Sequence, residues 1–92
     1  MSQIENILIE KFTKVELFCL CQYLESYTDC QWESGILPWN TKKDMAWTIA
    51  YYFKNTYVET GSQALNYIQE KNLNPDPSDI RQIKINHGSE PW

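Results

Sequence analysis

Four side chains in this 92-residue sequence have the chemistry of metal ligands or nucleophile partners: Cys19, Cys21, Cys30 and His87. A Cys₃His zinc site can be written with them on paper. Their spacing argues against it, because structural zinc sites use cysteine pairs two to four residues apart in loops. Cys19 and Cys21 fall within a helical pattern, where a separation of two sends side chains to nearly opposite sides. Small buried hydrophobes are the plainer reading of these thiols. His87 is the sole histidine and lies beside Gly88. A nucleophile–histidine–acid set would have to be built on it, and nothing resembles a nucleophile elbow.

The remaining chemistry is equally sparse. Glu10 with Glu16 and Asp76 with Asp79 are paired carboxylates, but neither pair sits in an apolar setting that would raise a pKa, so solvated charge is expected. With three glycines in the chain, no phosphate-cradling loop is present. No catalytic residue, cofactor or metal is expected, and the chain does not read as an enzyme.

The elements that would carry any function are easier to read. Thr13 followed by Glu16 is a capping box, and Val15, Phe18, Cys21 and Leu24 then recur at helical spacing. Ser2 with Glu5 opens a first helix at about 3–12, with a stripe of Ile4, Ile7, Leu8 and Phe12. The second helix spans about 14–26. Only Thr13 separates the two, so the junction is tight or kinked. Residues 27–40 are punctuated by Gly35 and Pro38, and a short helix or turn at 29–34 ending at Gly35 is expected. Thr41 with Asp44 starts the longest helix, at about 42–56. Gly61 then breaks the pattern, and Ser62 caps a helix at about 63–72 that carries Ala64, Leu65 and Ile68. Asn72 and Asn74-Pro75 end it. Ser78 to Ile83 suits a last helical turn or two, whereas Ile83-Lys84-Ile85 also suits a short strand. His87 to Trp92 reads as a tail or the start of a linker.

The pattern is all-α: a compact bundle of five to six helices, with residues 1–73 as its core and 74–92 as a possible last helix followed by tail or linker. Hydrophobic residues make up 42% of the chain, including four Trp, six Tyr and three Phe, enough to build a core without a disulfide or metal staple. Twelve acidic residues against eight basic give a net charge of −4. The basic residues are dispersed, with Lys42-Lys43 the one doublet. Nucleic acid is therefore not an expected partner. The longest near-apolar run, Met45 to Phe53, is too short to span a bilayer. No secretory signal is apparent at the N-terminus, and three cysteines without such a context suit a reducing cytoplasm.

One face stands out. At about 100° per residue, Met45, Ala46, Ile49, Tyr52 and Phe53 form the apolar side of the 42–56 helix. Trp47 and Tyr51 fall roughly opposite, beside Lys43, Lys54 and Asp44. Either another element of the bundle covers these two aromatics, or they are exposed and dock a partner, a role for which Trp and Tyr are favoured. Trp32 and Trp39 flank Gly35 and Pro38. They plug the end of the bundle or, for Trp39 in particular, join the partner face. The candidate interface is thus Trp47, Tyr51, Lys43, Lys54 and Trp39.

Phe12-Thr13-Lys14-Val15-Glu16-Leu17, Leu20-Cys21, Leu24, Gly35, Lys42-Lys43, Ile49-Ala50-Tyr51-Tyr52, Gly61 and Leu65 to Ile68 together resemble the bacterial effector-associated, or death-like, domains. The match covers about residues 3–73 and is one of helix faces and caps. It implies a six-helix death-fold bundle that acts as an adaptor, joining sensors to effectors in bacterial conflict systems by like-with-like contacts. Its partner would be itself or a related domain, as a homo-oligomer or filament. The C-terminal part departs from the family: Lys71-Asn72-Leu73-Asn74-Pro75 is a loose equivalent of its basic-proline segment, and a sixth helix must come from Ser78 to Ile85. A reading of another class is a small acidic inhibitor or antitoxin-like protein that blocks a basic surface on another macromolecule.

Overall fold

The computed structural model describes residues 3–28 and 40–88, with side chains for 3–25 and 40–88. Five α-helices account for most of these residues, and no strand occurs among them: α1 (Gln3–Lys11), α2 (Lys14–Thr28), α3 (Lys42–Asn55), α4 (Gly61–Glu70) and α5 (Pro77–His87). The expected Ser2 cap, the turn at 29–34 and the residues Cys30, Trp32 and Trp39 lie outside the described residues.

From α2 onward, each helix begins where a side chain can satisfy the orphan amides of its first turn. At the α1–α2 junction, the Thr13 N–H donates to Glu16 Oε1 (2.8 Å) and the Glu16 N–H donates back to Thr13 Oγ1 (3.3 Å). Thr41 and Asp44 make the same reciprocal pair at the start of α3. α4 differs from expectation. Its cap is Thr60, paired with Gln63, and not Ser62. Gly61 is the first residue of the helix and does not break it. The reason is a close approach: a Cβ at Gly61 would lie 3.0 Å from Ile7 Cγ2 and Cδ1. The Gly61 N–H also donates to Gln3 Oε1 (3.1 Å), so α1 and α4 touch at their starts. α5 is capped by Asp76, whose Oδ1 accepts from Ser78 N–H, with Pro77 in the first turn.

Segment 78–85 is therefore helix, and His87 is the last residue of α5, not part of a tail. Burial explains the choice. Ile83 is buried while Ile85 is 68% exposed. A strand would place both on one face; a helix separates them.

α1 packs on α3 and α4, and α2 packs on α3 and α5. α2 is the hub. Val15, Leu17, Phe18, Cys19, Leu20, Cys21 and Leu24 are all buried, which is most of its circumference and more than the single stripe its sequence suggests. The Cys21 thiol points at the Met45 carbonyl of α3 (4.0 Å). Tyr67 of α4 meets Tyr52 and Phe53 of α3 edge-on, and the two tyrosine hydroxyls lie 3.0 Å apart. The expected stripe of α3 is the buried one: Met45, Ala46, Ile49, Tyr52 and Phe53, joined by Ala50.

Candidate functional site

α3 has two faces because its sequence has two. Lys43, Trp47, Tyr51 and Lys54 fall within an arc of roughly 80° on the side away from the core stripe. Trp47 is 57% exposed and Tyr51 54%. One turn apart, their rings stack with centroids 5.5 Å apart and planes inclined by 22°. Of the two readings open for this pair, burial under another element and exposure, the structure shows exposure. Lys43 and Lys54 are exposed on the same arc. Trp39 falls outside the described residues.

The stacked pair forms one wall of an open groove of about 890 Å³. Its floor comes from Ile4 of α1, Ala50 of α3 and Val58 of the α3–α4 connection, all buried in the core. Tyr57, Glu5, Lys54 and Glu59 complete the lining. Glu5 is 8% exposed, and no buried side-chain oxygen or nitrogen among the described residues lacks a hydrogen-bond partner.

Tyr57 belongs to the site although its sequence position gives little hint of it. α3 ends in a Schellman motif: the Val58 N–H returns to the Phe53 carbonyl (3.0 Å) and the Tyr57 N–H to that of Lys54 (3.4 Å). That motif forces its middle residue into the left-handed region, and Tyr57 adopts φ 64°. Glycine is the usual occupant. The tyrosine ring is instead held out at 89% exposure. Three large aromatics thus border one groove, and the buried residues beneath them fix the backbone that carries them.

A second, smaller crevice lies between α2 and α5, lined by Cys19, Tyr23, Asp79 and His87 among others. Its chemistry is that of a clasp. The Tyr23 hydroxyl donates to Asp79 Oδ2 and accepts from the Asp76 N–H (3.4 Å), while His87 meets Phe18 edge-on at 5.6 Å. Burial, followed by the hydrogen bond to Asp79, pushes the Tyr23 phenol up. Burial likewise raises the Cys19 thiol and pushes Cys21 up to about 12. Both cysteines are buried thiols, not disulfides, and a thiol held protonated is a poor nucleophile. No group of three or more His, Cys, Asp or Glu side chains converges on a common point among the described residues. No described helix is long and apolar enough to cross a membrane.

No known family matches the chain, no curated protein matches its sequence, and no solved structure matches its fold.

Proposed function

We propose that this domain is a protein–protein interaction adaptor that associates with its own kind through the aromatic face of α3, in the manner of the death-like domains its helix pattern resembles. Its role would be to recruit an effector in a bacterial defence system. The observation that carries the reading is the stacked Trp47–Tyr51 pair, more than half exposed on a helix whose opposite face already fills the core. The cytoplasm is the fitting compartment, since Cys19 and Cys21 are thiols.

The magnitude supports a weak and reversible contact. Aromatic side chains present about 150–250 Å² each, so covering the exposed halves of Trp47 and Tyr51 removes roughly 220 Å² from water. At about 25 cal/mol per Å² that contributes about 5–6 kcal/mol. Association costs about 4–15 kcal/mol in lost freedom before any contact helps. The pair alone does not hold a complex together. It anchors one in which neighbouring residues supply the remainder, as hot-spot aromatics do.

Light scattering over a concentration series at two salt levels tests the reading. An adaptor of this kind self-associates. Its association persists with added salt, because burial of the aromatic rings is not screened and screening also reduces the repulsion between copies of charge −4. Trp47→Ala abolishes it while circular dichroism stays unchanged. A chain that remains monomeric throughout, yet binds basic proteins in a salt-sensitive way, would instead be the acidic inhibitor.

A further inference from the structure

We infer that the groove is filled by the same face of a second copy, with the Tyr57 ring of each chain laid against the Trp47–Tyr51 wall of the other in a two-fold pair. This rests on the association reading above and adds the occupant, its geometry and its anchor.

The first argument is the conformation of Tyr57. A bulky L-residue at φ 64° is strained, and a ring 89% exposed gains almost no packing within its own chain. Strain of this kind marks a position used for something other than the monomer's stability. The second argument is self-complementarity. An isologous contact needs one patch that bears both a projection and a hollow. Here Tyr57 projects beside a groove floored by Ala50 and Val58, on one face.

Charge points the same way. The groove lining carries Lys54 and Glu59, both exposed. In a two-fold pair oriented so that each lysine faces the other copy's glutamate, both signs are used twice. Area completes the case. At about 200 Å² per aromatic side chain, the exposed parts of Trp47, Tyr51 and Tyr57 sum to about 400 Å² per copy. The pair buries about 800 Å² through aromatics alone and approaches 1,000 Å² with the rim, the lower bound for a specific and transient interface. Because the patch is consumed by its own image, assembly stops at two.

Sedimentation equilibrium of the full chain tests this. The wild type should show a monomer–dimer equilibrium with no larger species. Tyr57→Ala should raise the dimer Kd at least about tenfold without altering the helical spectrum, since the ring is exposed. Lys54→Glu and Glu59→Lys should each weaken the dimer, and an equimolar mixture of the two variants should restore it, because opposite signs then face each other at both contacts. Trp47→Ala abolishing association while Tyr57→Ala leaves it untouched would overturn the two-fold pair and leave the adaptor reading standing. So would Trp47-dependent assembly that runs past the dimer. A chain monomeric at every concentration would overturn both.

Discussion

Replacing Tyr57 with glycine should stabilise the fold while weakening its association, and the size of the gain follows from the end of α3. Tyr57 is the left-handed residue of a Schellman motif, at φ 64°. That conformation costs an L-residue about 1–2 kcal/mol relative to glycine. Against this stands the greater freedom of glycine in the unfolded chain, about 0.5–1 kcal/mol. The ring itself offsets little, being 89% exposed. The balance is a gain of about 0.5–1 kcal/mol. For a domain of this size that raises Tm by roughly 2–8 °C.

Urea unfolding at a chain concentration well below the dimer Kd is the suitable assay, because association would otherwise add its own stabilisation to the wild type. Tyr57→Ala is the control. It removes the ring but keeps the left-handed strain, so it should leave stability near wild type, whereas Tyr57→Asn, which tolerates this conformation, should fall between alanine and glycine. The reasoning fails if Tyr57→Gly unfolds at lower urea than wild type. That result would mean that the ring is packed, or that the last turn of α3 does not close as a Schellman motif.

Three further outcomes follow from the packing. Gly61→Ala should destabilise by about 1–3 kcal/mol, because its Cβ would sit 3.0 Å from Ile7 Cγ2 and 3.2 Å from Ile7 Cβ; in an Ile7→Ala background the same substitution should cost measurably less, a coupling that a double-mutant cycle reads directly. Stability should fall above pH 9 as Cys21 titrates: its folded pKa is raised from 9.0 to about 12 by burial, so the protonated thiol's contribution is complete below the unfolded value and is lost between pH 9 and 12, with a slope of up to about 1.4 kcal/mol per pH unit that Cys21→Ala removes from the pH profile. Tyr23→Phe deletes the hydroxyl that bonds Asp79 and the Asp76 amide, so it should loosen α5 at a cost of about 0.5–1.5 kcal/mol and speed alkylation of Cys19 while leaving Cys21, beneath α3, slow.

Much of the fold was legible because caps and apolar stripes are local signals. Thr13 with Glu16 and Thr41 with Asp44 mark helix starts within a residue, and the buried face of α3 is the one its periodicity gives. Thr60 with Gln63 carries the same signature, yet Gly61 beside it reads as a breaker. Only the position of Ile7, 54 residues earlier in the chain, explains why the first turn of α4 needs a residue without a side chain. Segment 78–85 was ambiguous because Ile83-Lys84-Ile85 fits either period. The Asp76-Pro77 start decides for helix, since aspartate caps and proline fits the first turn. The exposed pair on α3 could be found by sequence, but whether another element covered it could not, because that depends on which helices pack together. Tyr57 was missed for a different reason: tyrosine has no preference for left-handed backbone. A signal was nevertheless present. Schellman motifs pair an apolar residue in the last turn with another five positions on, and Phe53 with Val58 and Ile68 with Leu73 both show that spacing, with all four residues buried.

That repeated spacing bears on where recognition resides. At the end of α4, the left-handed residue between Ile68 and Leu73 is Asn72, φ 58°, a side chain that visits this region at low cost. At the end of α3 the same backbone device holds a tyrosine. The two ends solve the same closing problem with equal hydrogen bonding, through Leu73 N–H to Ile68 O at 2.8 Å and Val58 N–H to Phe53 O at 3.0 Å, so folding does not demand an aromatic at either. What distinguishes Tyr57 is its neighbourhood: it stands over a groove that Trp47 and Tyr51 also border, whereas Asn72 adds no ring to any such face. The core beneath is complete without the three rings, and their substitution should therefore separate association from stability. A surface whose costliest residue is spent outside the monomer's own packing is best accounted for by a second molecule that meets it.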